Sequence, residues 1–236
     1  MEHFACGIEL EASGGFPVTT DTLLLADFVR LRADEEVCDL GCGSGALGLL
    51  LCGRDAACRV TGVELEADAC AAAVRNIARN SLADRFALIP GDLREIRTLL
   101  PQHRFTHVVS NPPYFPATVP AAPEARRAAA RSEQTCTLEQ LCAAAAWLLK
   151  DGGRFSLVYR PERLCDLFCT LRARRLEPKR LRLVRHRPDA AASLALLEAR
   201  AGGGAGLDCG PELVLSDRQG RPSAEFRRIY HLEGGA

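Results

Sequence analysis

The chain of 236 residues has no C-x-x-C pair, no clustered histidines, no net charge and no long apolar run. A membrane-spanning helix needs roughly 20 consecutive apolar residues, so none is expected. The opening Met1-Glu2-His3-Phe4 also lacks the basic and apolar regions of a secretory leader, which points to the cytoplasm. The eleven cysteines match neither zinc-site nor disulfide-scaffold spacing. Cys38, Cys42, Cys52, Cys70, Cys142, Cys165 and Cys169 fall inside apolar helix or strand patterns, as reduced core thiols do. Histidines at positions 3, 103, 107, 186 and 231 form no ligand set, and no metal is expected.

What is present is ordinary for a folded α/β protein: 47% hydrophobic and 25% charged residues, without repeats or low-complexity tracts. The charge is uneven. Residues 171–188, LRARRLEPKRLRLVRHRP, carry eight Lys or Arg against one Glu, while residues 1–40 are acidic. Such a stretch, including Lys179, Arg180 and Arg182, suits a polyanion such as RNA or DNA, or is a solvated surface.

Short β-type runs alternate with helical patterns, the signature of a doubly wound, mostly parallel sheet. Strands are expected at 36–41, 59–65, 86–92, 105–110 and 154–159, and two further β-like runs at 179–186 and 192–200 bring the sheet to seven. Helices are expected at 44–52, 66–81, 93–100, 138–153 and 161–176, the fourth stopped by Gly152-Gly153. A helix over PVTTDTLLLADFVRL precedes the first strand, with Thr20 or Asp21 as its N-cap. The whole chain reads as one domain: an N-terminal helical segment (1–35), a catalytic sheet with its helices (36–200) and a tail (201–236).

DLGCGSGALG, residues 39–48, makes a glycine-rich strand-to-helix turn. Gly41, Gly43 and Gly45 allow positive φ and close approach of backbone to a ligand, and a helix N-terminus follows. Alone it also fits a dinucleotide site. Asp39, Glu64 and Asp92 fall at the ends of the first three strands, and three acids in register suit a ribose and an adenine without phosphates. S-adenosylmethionine has that composition. Each acid could separately be a helix cap or a solvated loop residue.

Asn111-Pro112-Pro113-Tyr114 ends the fourth strand. Adjacent prolines cannot continue a helix or a central strand, so the segment is a rigid loop beside the crevice where such sheets bind ligands. An adenine or amide nitrogen is a poor nucleophile, because its lone pair is delocalised. The Asn111 side-chain oxygen and the Pro112 carbonyl can accept both of its N–H bonds, and Tyr114 can stack on a planar substrate. Chance would place N-P-P-Y in roughly one chain in a thousand of this size, which favours chemistry over a bare turn.

With DLGCGSG, GVEL, GDL and NPPY in this order, the chain resembles class I S-adenosylmethionine-dependent methyltransferases of planar amino groups. FPVTTDTLLLADF, NPPYF and AARSEQTCTLEQL bring it nearer the bacterial tRNA(Val) adenine-37 N6-methyltransferases. The resemblance implies a Rossmann-like sheet of order 3-2-1-4-5-7-6 with strand seven antiparallel. It implies S-adenosylmethionine held by Thr20 and Asp21 at its methionine end, by Asp39, Gly41, Gly43 and Gly45 beneath, by Glu64 with Leu65 at the ribose, and by Asp92 with Leu93 at the adenine. Asn111, Pro112 and Tyr114 would act on the target base. Pro113, Phe115, Arg126, Arg127 and Arg131 would join Lys179, Arg180 and Arg182 in holding tRNA. No membrane, metal or particular oligomeric state is implied.

Rival readings use the same motifs. A glutamine N5-methyltransferase of release factors shares NPPY but usually carries a helical N-terminal domain, for which no room is expected here. A DNA N6-adenine methyltransferase would need a target-recognition domain. A nicotinamide oxidoreductase leaves NPPY and Asp92 unexplained, and an RNA-binding or cofactor-binding protein without turnover leaves NPPY idle.

Overall fold

Successive residues of a strand point to opposite faces of its sheet, so a strand covered on both sides must serve two cores at once. In the computed structural model, which describes residues 2–4, 6–11, 18–112 and 136–230, the central runs do this. Val37, Val109, Val158 and Leu196 enter one core, and their neighbours Cys38, Val108, Leu157 and Leu197 enter the other.

Strands β1 (Glu2–His3) and β2 (Glu9–Leu10) form a small antiparallel hairpin. Helix α1 (Thr20–Phe28) follows, then β3 (Glu36–Leu40), α2 (Ala46–Arg54), β4 (Arg59–Glu64), α3 (Ala67–Arg79) and β5 (Phe86–Pro90). A 3-10 turn (Leu93–Glu95) runs into α4 (Ile96–Leu99), where one continuous helix was expected. Then come β6 (Phe105–Ser110), α5 (Leu138–Leu148), β7 (Leu149–Tyr159), α6 (Leu164–Ala173), β8 (Leu176–Arg185) and β9 (Ala192–Ala201). The chain continues through β10 (Asp208–Cys209) and β11 (Leu213–Val214) to α7 (Ala224–Tyr230). Apolar residues of α1, α2 and α7 fill one core, and those of α5 and α6 fill the other.

The expected strand order is found as β5-β4-β3-β6-β7-β9-β8, with β9 antiparallel to both β7 and β8. The sheet has nine strands rather than seven, because β10 and β11 both add in parallel to β8. They cover backbone N–H and C=O groups that an edge strand would leave open. Residues past 200 are therefore built into the sheet. Ile229 of α7 is buried, and the Tyr230 hydroxyl lies 2.6 Å from Thr20 Oγ1 on α1.

Two further expectations are corrected. The helix expected to stop at Gly152-Gly153 ends at Leu148, and both glycines lie in β7. Leu149 pairs with Phe105, and the register then slips before His107 meets Arg154. A Cβ on Gly153 would lie 2.8 Å from the Lys150 carbonyl oxygen, so the slip needs glycine. Cys165 and Cys169 are exposed, because α6 buries Leu167 and Leu171 and turns the two thiols outward. Six other cysteines are buried, and all eleven are free. Among the described residues no helix is long and apolar enough to cross a membrane.

Candidate active site

Strand β3 has β4 on one side and β6 on the other: the chain runs outward from β3 through β4 to β5, then crosses back over both to β6. Ligands of doubly wound sheets bind at such a reversal, outside the carboxyl ends of the strands. The turn after β3 is held from several sides. Gly41 and Cys42 donate backbone N–H bonds of 2.9 and 3.1 Å to the Val63 carbonyl. Ser110 Oγ donates to the Leu40 carbonyl at 2.8 Å, and Asn76 Nδ2 to the Ser44 carbonyl at 3.0 Å. Gly43 has φ +56°, with no atom within 4 Å of where a Cβ would lie, so the loop leaves room above itself. Gly48 does the reverse: a Cβ there would lie 2.6 Å from the Phe86 ring, so only glycine lets α2 sit this close to the sheet.

The three acids anticipated at the strand ends are all there, in three different states. Asp39 is 1% exposed, and its Oδ2 is buried with no hydrogen-bond partner. Burial pushes its carboxyl up to about 7; a backbone bond from Gly48 opposes this and the nearby Glu64 adds to it. A buried carboxylate oxygen without a donor is costly, and a cationic or N–H-bearing ligand would relieve it.

Glu64 is buried and already employed: Oε2 accepts from Gly43 N, and Oε1 from Leu65 N and Glu66 N, all at 2.8 Å. With two acceptor sites per oxygen, one remains on Oε2 for a hydroxyl. Leu65 beside it is 43% exposed. Asp92 caps the 3-10 turn through Arg94 N at 2.9 Å and pairs with the Arg94 guanidinium, which holds its carboxyl below the usual range. An adenine amine would have to share that carboxylate with Arg94. Leu93 packs against the core beside it.

A cleft of about 280 Å³ joins the glycine loop to the end of β6, lined by Asp39, Gly41, Gly43, Thr19, Thr22 and Asn111 among others. Pro112 is buried beside Asn111. Here the anticipated roles shift by one helical step. The N-cap of α1 is Thr19, whose hydroxyl accepts from Thr22 N, not Thr20 or Asp21. Residues three apart share a helix face, so Thr19 and Thr22 both face the cleft. Thr20 is turned to Tyr230. Burial raises the Asp21 carboxyl, and the neighbouring Arg160 guanidinium, with His186 also near, counters the rise.

Pro113, Tyr114, Phe115, Arg126, Arg127 and Arg131 lie outside the described residues. Lys179, Arg180 and Arg182 sit on β8, with β9 and β7 between them and β6. They do not form an open basic face. Lys179 Nζ donates to the Gly204 carbonyl, Arg180 pairs with Glu198 at 3.0 Å and lies over the Phe28 ring, and Arg182 grips both oxygens of Glu225 at 2.8 Å. Beneath them Arg154, 5% exposed, bridges the buried carboxylates of Glu35 and Glu198.

Sequence reading passed over Thr19, Thr22 and Asn76. The i, i+3 spacing of Thr19 and Thr22 was a usable sign; nothing local marks Asn76, whose partners at Glu11 and Ser44 are 65 and 32 residues away. Among the described residues no three His, Cys, Asp or Glu side chains gather as metal ligands.

The model of the methyltransferase small domain matches residues 18–167. A tRNA1(Val) (adenine(37)-N6)-methyltransferase of Porphyromonas gingivalis is 34% identical over 221 residues, 90% of this chain and 86% of that one. A protein of the same description from Dickeya chrysanthemi is 40% identical over 142 residues, covering 60% of this chain and 55% of its own. Among solved structures, a predicted O-methyltransferase of Agrobacterium tumefaciens superposes with a TM-score of 0.74 at 22% identity, over 90% of this chain and 96% of that one. At that identity the likeness shows the fold.

Proposed function

This chain belongs to the tRNA1(Val) (adenine(37)-N6)-methyltransferase family within the methyltransferase small domain, and from that premise we propose how its cleft works. The reaction is transfer of a methyl group from S-adenosylmethionine to N6 of an adenosine in tRNA, with adenosine 37 of tRNA1(Val) as the target. The observation that carries the reading is the meeting, in one cleft, of the Asn111 amide with a glycine loop over an unpartnered buried carboxylate.

When bound, S-adenosylmethionine supplies an electrophilic methyl group. Asp39, Gly41, Gly43 and Gly45 would hold it from below, where the orphan Asp39 oxygen suits a positively charged partner. The remaining acceptor site of Glu64 suits a ribose hydroxyl with Leu65 beside it, and Asp92 and Leu93 suit the adenine. Thr19 and Thr22 border the same cleft; Asp21 and Thr20 stand behind them.

The chemistry asked of the protein is positioning and polarisation. Asn111 Oδ1 and the Pro112 carbonyl accept the two N–H bonds of the target amine and rotate or pyramidalise it, so that its lone pair is released from the ring π system and faces the methyl. Nitrogen releases a proton only after the new bond forms, so no side chain with a tuned pKa is required. Tyr114 stacks on the base with Pro113 and Phe115 beside it, and Arg126, Arg127 and Arg131 meet the tRNA backbone. The intramolecular partners of Arg180 and Arg182 leave Lys179 as the smaller contribution from β8.

The test is transfer of tritiated methyl from S-adenosylmethionine to tRNA from cells lacking the gene, followed by nucleoside mass spectrometry. A rise in N6-methyladenosine is expected, with mass spectrometry of ribonuclease fragments of tRNA1(Val) placing it at position 37. Label in a release-factor glutamine or in DNA, with none in tRNA, would retain the cofactor and overturn the substrate.

A further inference from the structure

The two ends of an asparagine amide are chemically opposite: the nitrogen only donates and the oxygen only accepts. Holding a target amine through its N–H bonds requires the oxygen, so an Asn111 turned the other way would set two donors face to face. The side-chain hydrogen bonds of Asn111 within the described residues run from its nitrogen, to Thr22 Oγ1 at 2.9 Å and, more weakly, to Thr19 Oγ1 at 3.4 Å. The two hydroxyls are themselves 3.1 Å apart.

We propose that Thr22, backed by Thr19, is a positioning residue that fixes which end of the Asn111 amide faces the target base. The inference rests on the role given to Asn111 above. A hydroxyl can donate or accept, so the direction has to be set by a chain of bonds. In the arrangement proposed, the Thr22 hydroxyl donates its hydrogen to Thr19 Oγ1, which turns a lone pair of Thr22 Oγ1 to the Asn111 nitrogen. Thr19 is exposed, and its own proton goes to solvent. Thr22 is 8% exposed, so water does not readily replace its hydroxyl. The contact joins the first turn of α1 to the end of β6, 89 residues apart in sequence. It makes α1 part of the catalytic geometry as well as of the core.

The experiment combines Thr22→Val, Thr22→Ser, Asn111→Ala and the double variant Thr22→Val/Asn111→Ala, with kcat, cofactor affinity by titration calorimetry, and a thermal melt for each. Thr22→Val is expected to lower kcat roughly ten- to a hundredfold while cofactor affinity changes less than about threefold. Thr22→Ser restores most of the rate, because it keeps the oxygen. In the Asn111→Ala background the valine substitution should cost nothing further, since there is no amide left to orient. An equal loss from Thr22→Val in both backgrounds, or a serine variant as slow as the valine one, overturns the inference while leaving Asn111 in its role. Wild-type kcat in Asn111→Ala overturns the role of Asn111 itself. If the valine variant does not fold, Thr22→Ala, which removes the oxygen without adding a methyl group, takes its place alone and with Asn111→Ala.

Discussion

The carboxyl ends of β3, β4 and β5 and the arginine-rich strand β8 both concentrate charge, and they treat it in opposite ways. At the strand ends Asp39 keeps a buried oxygen with no partner, and Glu64 keeps one acceptor site open after pinning the glycine loop. On β8 the guanidiniums are paired with acids inside the protein, Arg180 to Glu198, Arg182 to Glu225 and Arg185 to Glu212, with Arg185 Nε alone among them buried without a partner. An unsatisfied buried group points to a ligand, whereas a matched pair is architecture. Charge density in a sequence does not separate the two cases.

The sharpest way to break this comparison is at its most buried pair. Replacing Arg154 with Met strands the buried Glu35 without its cation and leaves Glu198 only Arg180, and should cost about 3–5 kcal/mol of stability, read by urea denaturation. A loss under about 1 kcal/mol would mean that the ions beneath β8 are not structural. Asn111→Ala comes next: kcat should fall by roughly two to three powers of ten with cofactor affinity nearly intact. Equal losses of both would place Asn111 in the scaffold.

The Asp39 carboxyl provides a smaller, graded test. With its pKa raised to about 7 in the ligand-free protein, it is protonated below that pH and ionised above it. A cationic partner favours the ionised form, so cofactor affinity should fall by up to about tenfold per pH unit below 7 and level off above. Asp39→Asn should flatten that profile; a flat profile in the unaltered protein would remove the cationic partner from the site. The smallest expected effect belongs to β8. Replacing Lys179, Arg180 and Arg182 together should change the salt dependence of tRNA binding by no more than about one ion, while lowering stability by roughly 1–2 kcal/mol. A drop of three in the slope would show that these side chains leave their acids for RNA.

Much of the fold was legible because it depends on short-range pattern. Short apolar runs alternating with helical patterns marked the central strands, and glycines at 41, 43 and 45 marked the turn into α2. Asp39, Glu64 and Asp92 could be placed because each lies within two residues of a strand's carboxyl end. The errors came where a local sign has more than one cause. Gly152 and Gly153 read as a helix stop and serve a register slip inside β7. Cys165 and Cys169 sit among apolar residues, yet occupy the outer face of α6.

By itself the sequence determined the succession of strands and helices, the glycine loop, the acids near the strand ends and the place of Asn111, since each follows from residues adjacent in the chain or at one repeating period; the order of the strands in the sheet came from the family resemblance. Only the tertiary structure decided that Thr19 and Thr22 rather than Thr20 and Asp21 border the cleft. It also decided that β10 and β11 close the β8 edge, and that Arg182 meets Glu225 across 43 residues. Those outcomes depend on partners brought together by packing, and a guanidinium or an amide takes its role from the partner it meets.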